Sequence, residues 1–240
     1  MMKCIILTLF PGMVESYFDY SILKRAREKS LLDVRFCSLR DFGIGSHHVT
    51  DDLPYGGGPG MVLKPEPIFA ALEAIRKREG GNALRVIMPS PQGVIFRQAM
   101  AHDFAKETRT LVFICGRYEG IDARVEEGVS LEAVSVGDYI LTGGELPALL
   151  MVDAAARLIP GVLGEPKSLE EESFSLGRNA RNGRATDCEM FEYPHYTRPA
   201  QFQGMRVPEV LLSGNHEAIA QWRKEKAFLN TQKRRPELLM

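Results

Sequence analysis

The sequence lacks the motifs that most often mark a bound nucleotide. Its 240 residues contain no GxxxxGKS or GxxxxGKT loop, which argues against a P-loop NTPase. A dinucleotide-binding fold places GxGxxG directly after its first strand, whereas here the first apolar run ends in Phe10-Pro11-Gly12. The glycine-rich run 56–60 has the wrong spacing and no strand immediately before it. Neither common nucleotide fold fits.

Cysteine pairs and long apolar runs are also missing. The cysteines are far apart and form no CxxC pair; they are Cys4, Cys37, Cys115 and Cys188. This pattern argues against a zinc ribbon or a disulfide framework and predicts a reducing, cytoplasmic environment. No apolar stretch reaches the ~18 residues of a membrane span. The opening residues 1–11 carry one positive charge and no small-residue cleavage site, which indicates a first strand and not a signal peptide.

The remaining pattern is an alternation of apolar runs with segments of helical period. It predicts strands over 3–10, 32–39 and 84–88, then one that ends at Gly116 and one that ends near Gly137. Helices are predicted over 13–29, 65–79, 96–106 and 145–159, with a short one from Ile121. Residues 40–62 form a long loop without predicted structure, which indicates a functional or disordered segment. The alternation predicts an α/β fold with a mostly parallel sheet covered on both faces.

The composition changes after Pro160, which divides the chain into three parts. Residues 1–163 form the α/β domain, and residues 164–200 are rich in Gly, Glu, Arg and Asn and read as a flexible linker. Residues 201–240 form a small helical domain, with a helix over 216–228 capped by Ser213 or Asn215. Basic residues are concentrated in 222–235. They favour binding to nucleic-acid phosphates, although an ordinary solvated helix face would show the same pattern. The net charge of −1 is evidence neither for nor against a nucleic-acid partner.

Two apolar runs in the middle of the chain break abruptly at glycine. One ends at Gly116 and the other near Gly137, with the pair Gly143-Gly144 beyond it. Glycine permits positive φ and a close approach of ligand or backbone. Loops at the carboxyl ends of parallel strands are where α/β proteins bind ligands. These turns therefore predict a small-molecule pocket; the alternative is that they are simply tight turns.

Short segments along the whole chain resemble one known family, in the same order. These segments are Phe10-Pro11, Asp51-Asp-Leu-Pro-Tyr-Gly-Gly-Gly-Pro-Gly-Met61, Ser90-Pro-Gln-Gly93, Cys115-Gly-Arg-Tyr-Glu-Gly-Ile-Asp122, Gly137-Asp-Tyr-Ile-Leu-Thr-Gly-Gly-Glu-Leu-Pro147, Arg157-Leu-Ile-Pro-Gly-Val-Leu-Gly164, Tyr193-Pro-His-Tyr-Thr-Arg-Pro199, Val207-Pro-Glu-Val-Leu-Leu-Ser-Gly-Asn-His216 and Arg234-Arg-Pro-Glu-Leu-Leu239. Together they resemble the bacterial TrmD-type tRNA (guanine-N1)-methyltransferases.

The resemblance implies a fold and an activity that residue patterns alone do not give. Members of the family belong to the SPOUT superfamily, whose deep trefoil knot binds S-adenosyl-L-methionine. They act as homodimers and methylate N1 of guanine 37 in tRNA, next to the anticodon. The resemblance therefore implies a knot in the C-terminal half of the α/β domain, a methyl donor as cosubstrate, and tRNA and a second copy of the chain as partners.

The resemblance also implies which residues form the site. The residues that correspond to the donor-binding loops are Pro91, Gly116, Tyr118, Gly120, Val136, Tyr139, Leu141, Gly143 and Gly144. The catalytic arginine corresponds to Arg157, which would stabilise negative charge on guanine O6. The alternative for Arg157 is a simple ion pair with Asp153, four residues before it. No metal ion is expected, since the histidines lack metal-ligand spacing.

Two segments depart from the family pattern. Where the family has Asp-Ser-Phe in the linker, this chain has Glu172-Ser173-Phe174. We assign the role of general base to Glu172, whose carboxylate stands on a longer stem; the alternative is that residues 170–172 are merely solvated charge. Residues 178–188 look inserted, and either contact with RNA phosphates or disorder would account for them.

Two other functions remain to be distinguished from methyl transfer. A non-enzymatic RNA-binding protein would explain the basic C-terminal segment but would not require paired glycine turns after strands. A nucleotide-dependent hydrolase would require phosphate-loop chemistry, which the sequence does not contain.

Overall fold

The computed structural model describes residues 1–165, 169–175 and 190–239. The chain divides into two compact units, Met1–Gly164 and Glu165–Met240. The insertion expected over residues 178–188 lies outside the described residues. Among the helices that the structure describes, none is long and apolar enough to span a membrane.

The first unit is built on a five-stranded sheet. The described strands of this unit are β1 (Met2–Thr8), β2 (Leu32–Ser38), β3 (Asp51–Asp52), β4 (Val62–Leu63), β5 (Leu84–Ile95), β6 (Thr110–Ile114) and β7 (Leu131–Ser135). Of these, β3 and β4 form a separate two-stranded sheet. The main sheet has the order β2-β1-β6-β5-β7, and every pair in it is parallel. All residues of the central strand β6 are buried, as expected where helices cover both faces. The predicted α/β fold with a mostly parallel sheet is confirmed.

Helices cover both faces of this sheet. They are α1 (Pro11–Glu15), α2 (Ser21–Glu28), α3 (Pro65–Arg78), α4 (Gln98–Lys106), α5 (Arg124–Gly128) and α6 (Glu145–Ala156). Side chains alternate between the faces along a strand, so Phe113 of β6 packs with α4 and α6 in one core. Its neighbour Val112 packs with α3 in the other. The sheet is therefore an interior layer, and only its edges and strand ends are open to a ligand.

Three local predictions need correction. The helix expected over 13–29 is interrupted by a 3₁₀ turn, Ser16–Asp19, and restarts at Ser21, whose φ is 51°. The strand expected to close at residue 88 continues as β5 to Ile95, with a register shift between Pro89 and Val94. Proline has no N–H to donate to the ladder, and the shift lets the strand resume pairing beyond the two prolines.

The loop expected over 40–62 is also more ordered than predicted. A 3₁₀ turn occupies Leu39–Phe42, and β3 and β4 pair as an antiparallel hairpin. The base of this hairpin is attached to the loop after β6: the amide of Glu119 donates to the Met61 carbonyl at 3.0 Å, and the amide of Leu63 donates to the Gly120 carbonyl at 2.9 Å. These partners are more than 50 residues apart in sequence, so no local pattern indicates their pairing.

The second unit contains β8 (Gln201–Phe202), β9 (Met205–Arg206), α7 (Glu209–Leu212) and α8 (His216–Arg234). Asn215 caps α8, since its side-chain oxygen accepts from the Ala218 amide at 3.1 Å. The helix continues past the predicted end at residue 228 because Thr231 is buried and binds the Phe191 amide through its hydroxyl at 2.8 Å. Residues 169–175 and 190–199, which fall in the stretch expected to be a linker, hydrogen bond within this unit.

Candidate active site

A cavity of about 420 Å³ opens beside the register shift in β5 and at the carboxyl ends of β6 and β7. Three segments, which we call the first, second and third loops, line most of it: residues 88–92 within β5, 116–121 after β6, and 134–144 from the end of β7 onwards. All nine residues expected at a donor site lie in its wall: Pro91, Gly116, Tyr118, Gly120, Val136, Tyr139, Leu141, Gly143 and Gly144. The volume is in the range of small-molecule sites, ~300–1,000 Å³. The structure thus brings together the residues that the sequence distributes over more than fifty positions.

Close backbone packing at Gly144 shapes one side of this pocket. The Gly144 amide donates to the Gly116 carbonyl at 2.9 Å. A β-carbon at Gly144 would lie 2.8 Å from the α-carbon of Cys115, closer than real contacts allow. The bend after β7 therefore lies directly against the end of β6, and only glycine permits that approach.

Two tyrosines lie at the rim, and both are about half exposed. Tyr118 has a φ of 59°, which is uncommon for a residue with a side chain. The hydroxyl of Tyr139 donates to the Val136 carbonyl at 3.0 Å, which holds this ring across the third loop. Both aromatic rings are thus available for contact with a planar ligand.

Charged residues that sequence reasoning missed also line the pocket. Glu119, Glu126 and Arg117 are in its wall, so two carboxylates accompany a single guanidinium. The Arg117 charge is paired, since its Nε lies 3.0 Å from a carboxylate oxygen of Glu145. The carboxylates of Glu119 and Glu126 favour a ligand that carries positive charge. Arg117 and Glu119 belong to a matched segment, which is the signal that could have indicated them.

Arg157 directly follows α6 and continues one face of that helix, which is apolar at its start and charged at its end. Leu146 and Leu150 on this face are exposed, and Asp153 and Arg157 continue it at helical spacing. The Tyr17 hydroxyl hydrogen bonds to Asp153. Burial raises the pKa of the Asp153 carboxyl, and the Arg157 charge and the Tyr17 hydrogen bond oppose this shift. The ion-pair alternative for Arg157 therefore stays open alongside the catalytic one.

Glu172 lies in the second unit, within residues 169–175. Its carbonyl accepts hydrogen bonds from the hydroxyl and the amide of Ser175, which makes a tight turn. The neighbouring Glu171 is fixed, since it accepts from the Tyr193 hydroxyl at 2.6 Å and lies 3.3 Å from Arg223 Nη1. Burial and this hydrogen bond raise the pKa of Tyr193 to about 12. Glu171 is therefore not simply solvated charge.

The two candidate catalytic residues belong to different units of the chain. Within the first unit, Arg157 does not occur among the described residues that form the cavity wall. No group of three or more His, Cys, Asp or Glu side chains in the described ranges is placed to hold a metal ion.

Comparison with known proteins now identifies the family. The family described as tRNA (Guanine-1)-methyltransferase TrmD has a sequence model that matches residues 2–240. The chain belongs to this family. The resemblance noted from the short segments is thereby confirmed along the whole chain.

Individual relatives agree with the family match. A protein of Pelotomaculum thermopropionicum is 52% identical over 238 residues, which is 99% of this chain and 90% of the relative. One from Geobacter metallireducens is 52% identical, with 99% and 91% covered. One from Dictyoglomus turgidum is 48% identical, with 100% and 90% covered. All three are named tRNA (guanine-N(1)-)-methyltransferase.

Proposed function

We propose that this chain is a methyltransferase that moves a methyl group from S-adenosyl-L-methionine to N1 of guanine 37 in tRNA, next to the anticodon. The observation that carries the proposal is the convergence of three loops into one cavity, in a chain of the TrmD family. Relatives at about half identity carry the corresponding name. The position of the target base and the identity of the donor are the parts that experiments must test.

The chemistry of the cavity suits this donor. S-adenosyl-L-methionine has a planar base, a sugar and a positively charged sulfonium. Glu119 and Glu126 in the wall favour the positive charge. Backbone groups of the glycine-rich bends can bind the edges of a base, as in other sites where glycine lets backbone approach a ligand. Tyr118 and Tyr139 offer rings beside it.

We propose that the three loops form part of a deep trefoil knot. In the sheet, β5 lies between β6 and β7, yet the segment after β7 returns to the end of β6, where Gly144 binds Gly116. A chain that leaves β7 must pass the end of β5 to make this contact. That path supports a threaded connection, which is rare among folds.

We further propose a homodimer. Leu146 and Leu150 of α6 are exposed apolar side chains, and Met13 and Tyr17 near α1 are exposed as well. The helices α1 and α6 contact each other, so these residues belong to neighbouring surfaces. Exposed apolar side chains of this size are suited to burial against a second copy. The face of α6 that bears Leu146 and Leu150 ends at Arg157, which would place that arginine near the interface.

In the proposed reaction, Glu172 and Arg157 act on the guanine. Neutral guanine carries a proton on N1 and is a poor nucleophile there, and its base must leave the stack to reach the donor. As N1 attacks the methyl carbon, the carbon–sulfur bond breaks and its electron pair stays on sulfur, which becomes a neutral thioether. The Glu172 carboxylate accepts the N1 proton. Arg157 donates to O6, where negative charge develops.

The dimer would make each site composite. In a homodimer the Glu172 carboxylate of one subunit can serve the pocket of its partner. Such an arrangement would explain why the base lies on a different unit from the donor pocket. Precise placement of donor and acceptor would then supply much of the rate.

The second unit is the proposed tRNA-binding part. Helix α8 carries exposed cationic side chains, among them Lys224, Lys233 and Arg234. Cations that neutralise phosphates release counterions, so binding should weaken as salt rises. The domain boundaries expected from sequence, 1–163, 164–200 and 201–240, remain part of this proposal.

The described cysteines agree with the proposed cytoplasmic location. Cys4, Cys37 and Cys115 are unpaired and buried. Burial raises the pKa of both Cys4 and Cys115, which keeps these thiols protonated and poorly reactive. Unpaired buried thiols are usual in a reducing compartment.

One experiment tests the activity and the target together. The protein is incubated with methyl-labelled S-adenosyl-L-methionine and a tRNA transcript that has guanosine at position 37, and the nucleosides are analysed. We expect N1-methylguanosine from this transcript and none from a matched transcript with adenosine at that position. Binding of tRNA without methyl transfer would instead favour a non-enzymatic RNA-binding protein.

A further inference from the structure

A largely buried ion pair between Arg117 and Glu145 joins the pocket wall to the start of α6. Glu145, the first residue of α6, is only 3% exposed. Its Oε1 accepts from the Thr8 hydroxyl at 2.6 Å and from Arg117 Nε at 3.1 Å. The second carboxylate oxygen, Oε2, lies 3.0 Å from the same nitrogen. Thr8, at the end of β1, is fully buried. Thr8 and Glu145 are 137 positions apart in the sequence.

The remaining donors of Arg117 reach the third loop and the N-terminal segment. Its Nη1 donates to the Thr142 carbonyl at 3.1 Å. The guanidinium carbon lies 4.8 Å from the centre of the Phe10 ring, within the range of a cation–π contact. The same planar group therefore binds a side chain at the start of α6, a carbonyl of the third loop and an aromatic ring after β1.

The bend before α6 packs closely against this arginine. A β-carbon at Gly143 would lie 2.4 Å from Arg117 Nε and 2.5 Å from a Glu145 carboxylate oxygen. Gly143 thus packs directly over the ion pair. Its neighbours Leu141 and Gly144 line the cavity together with it.

We infer that Arg117 and Glu145 act together as positioning residues that hold the 141–144 bend in its donor-binding shape. This inference rests on the proposed function, because it assumes that the cavity binds S-adenosyl-L-methionine. Arginine suits the task because its fork donates in several fixed directions at once. A lysine ammonium is a compact point charge, so it cannot contact Glu145, the Thr142 carbonyl and the Phe10 ring at the same time.

The inference predicts a defect in donor binding that is larger than any defect in the methyl-transfer step. Arg117→Lys keeps the charge that pairs with the buried Glu145 carboxylate but loses the fork to Thr142. We expect the Kd for S-adenosyl-L-methionine to rise about tenfold, the factor that corresponds to loss of one charge-assisted hydrogen bond. At saturating donor, kcat should fall by less than about threefold, since the reacting atoms are not contacted.

Glu145→Gln provides the partner variant. It keeps an oxygen that can accept from Thr8 but removes the charge that Arg117 binds. We expect a similar rise in Kd, and the double variant should be less affected than the sum of the two, because both changes remove one shared interaction. If a thermal melt shows that Arg117→Lys does not fold, the donor Kd is measured for Thr8→Val and Glu145→Gln instead. Thr8→Val removes the hydrogen bond that holds the Glu145 carboxylate, so it should also raise the Kd.

Arg85→Lys is the matched control. Arg85 is a partly buried arginine that pairs with Asp103, Glu107 and Glu132. It lies near the amino end of β5 and outside the cavity wall. The Arg85→Lys variant should have a lower Tm than the wild type but the same Kd for S-adenosyl-L-methionine. Calorimetry with S-adenosyl-L-methionine alone measures each Kd.

The outcomes separate this inference from the proposed function. If the wild-type protein does not bind the donor, the proposed function fails before the variants are compared. If the wild type binds and both Arg117→Lys and Glu145→Gln bind equally well, the positioning role is overturned. The positioning role is also overturned if Arg85→Lys lowers Tm as much as Arg117→Lys and Glu145→Gln do and raises the donor Kd by the same factor.

Discussion

The position that a β-carbon would take on Gly144 lies 2.8 Å from the α-carbon of Cys115. Backbone cannot yield as a flexible side chain can, so the bend after β7 and the end of β6 have a fixed separation. Since Gly116 and Gly144 both line the cavity, this separation determines the width of one end of the pocket.

Gly144→Ala should therefore impair donor binding. The added methyl would force the bend away from β6, and overpacking of this kind costs about 1–3 kcal/mol. We expect calorimetry to show a rise in the Kd for S-adenosyl-L-methionine of at least about tenfold. Gly12→Ala is the control, because no atom lies within 4 Å of its added β-carbon. Normal donor binding by Gly144→Ala would show that the bend can move without consequence.

Glu172→Gln should abolish methyl transfer and leave donor binding intact. The amide cannot accept the N1 proton, and loss of a general base typically costs about 10²–10⁴ in rate. Single-turnover transfer to tRNA at saturating donor measures the effect. Glu170→Gln, two positions away in the same acidic run, serves as the control and should stay active. An active Glu172→Gln protein would remove this residue from the mechanism.

Arg157→Ala should lower kcat by about 10²–10³, the usual effect of removing one donor to a developing oxyanion. The ion-pair alternative makes a different prediction, because Asp153→Asn would then reproduce the loss. Burial already raises the pKa of Asp153, so neutralising this carboxyl should be well tolerated. Steady-state assays of both variants decide between them, and equal losses would support the structural role.

The stability of the first unit should depend on Glu107 in a defined pH range. Hydrogen bonds from the Arg109 side chain and from the backbone amides of Arg109 and Thr108 lower the pKa of Glu107 from 4.5 to about 2. Because the folded pKa is lowered, the stabilisation is present above the unfolded pKa and is lost as pH falls towards about 2.

Glu107→Gln should accordingly lower the free energy of unfolding at pH 7 by about 1–3 kcal/mol. The difference from wild type should shrink as pH falls from 4.5 towards 2, where the wild-type carboxyl also loses its charge. Urea denaturation at several pH values measures this. Glu73→Gln, which alters an exposed pair with Lys77, should have little effect at any pH. A difference for Glu107→Gln that is constant over this range would refute the assignment.

The sequence was sufficient to predict the layers of the first unit and the place of its pocket. The apolar runs that form β1 and β6 are buried almost throughout, as is usual for strands of a parallel sheet that helices cover on both faces. The glycines at the ends of β6 and β7 indicated the pocket, because ligands bind in the loops at the carboxyl ends of parallel strands. Local pattern and fold agree at these positions.

What the sequence did not reveal depends on partners that are distant along the chain. The pairing of the β3–β4 hairpin with residues 119–122 and the contact of Thr8 with Glu145 have no local signature. The continuation of β5 beyond Pro89 was missed because proline normally ends a strand, whereas here pairing resumes with β7 after a register shift. The break in the first helix combines the 3₁₀ turn Ser16–Asp19, an extended Tyr20 and the positive φ of Ser21.

The attachment of the β3–β4 hairpin to the loop after β6 has a mechanical consequence. Between the strands, Gly56, Gly57 and Gly58 all have positive φ, and Tyr55 beside them is completely exposed. At the base, backbone hydrogen bonds join Met61 and Leu63 to the loop that bears Glu119. A ligand that displaces the exposed hairpin would therefore also shift residues 119–120 of the cavity wall, because these backbone hydrogen bonds couple the two segments.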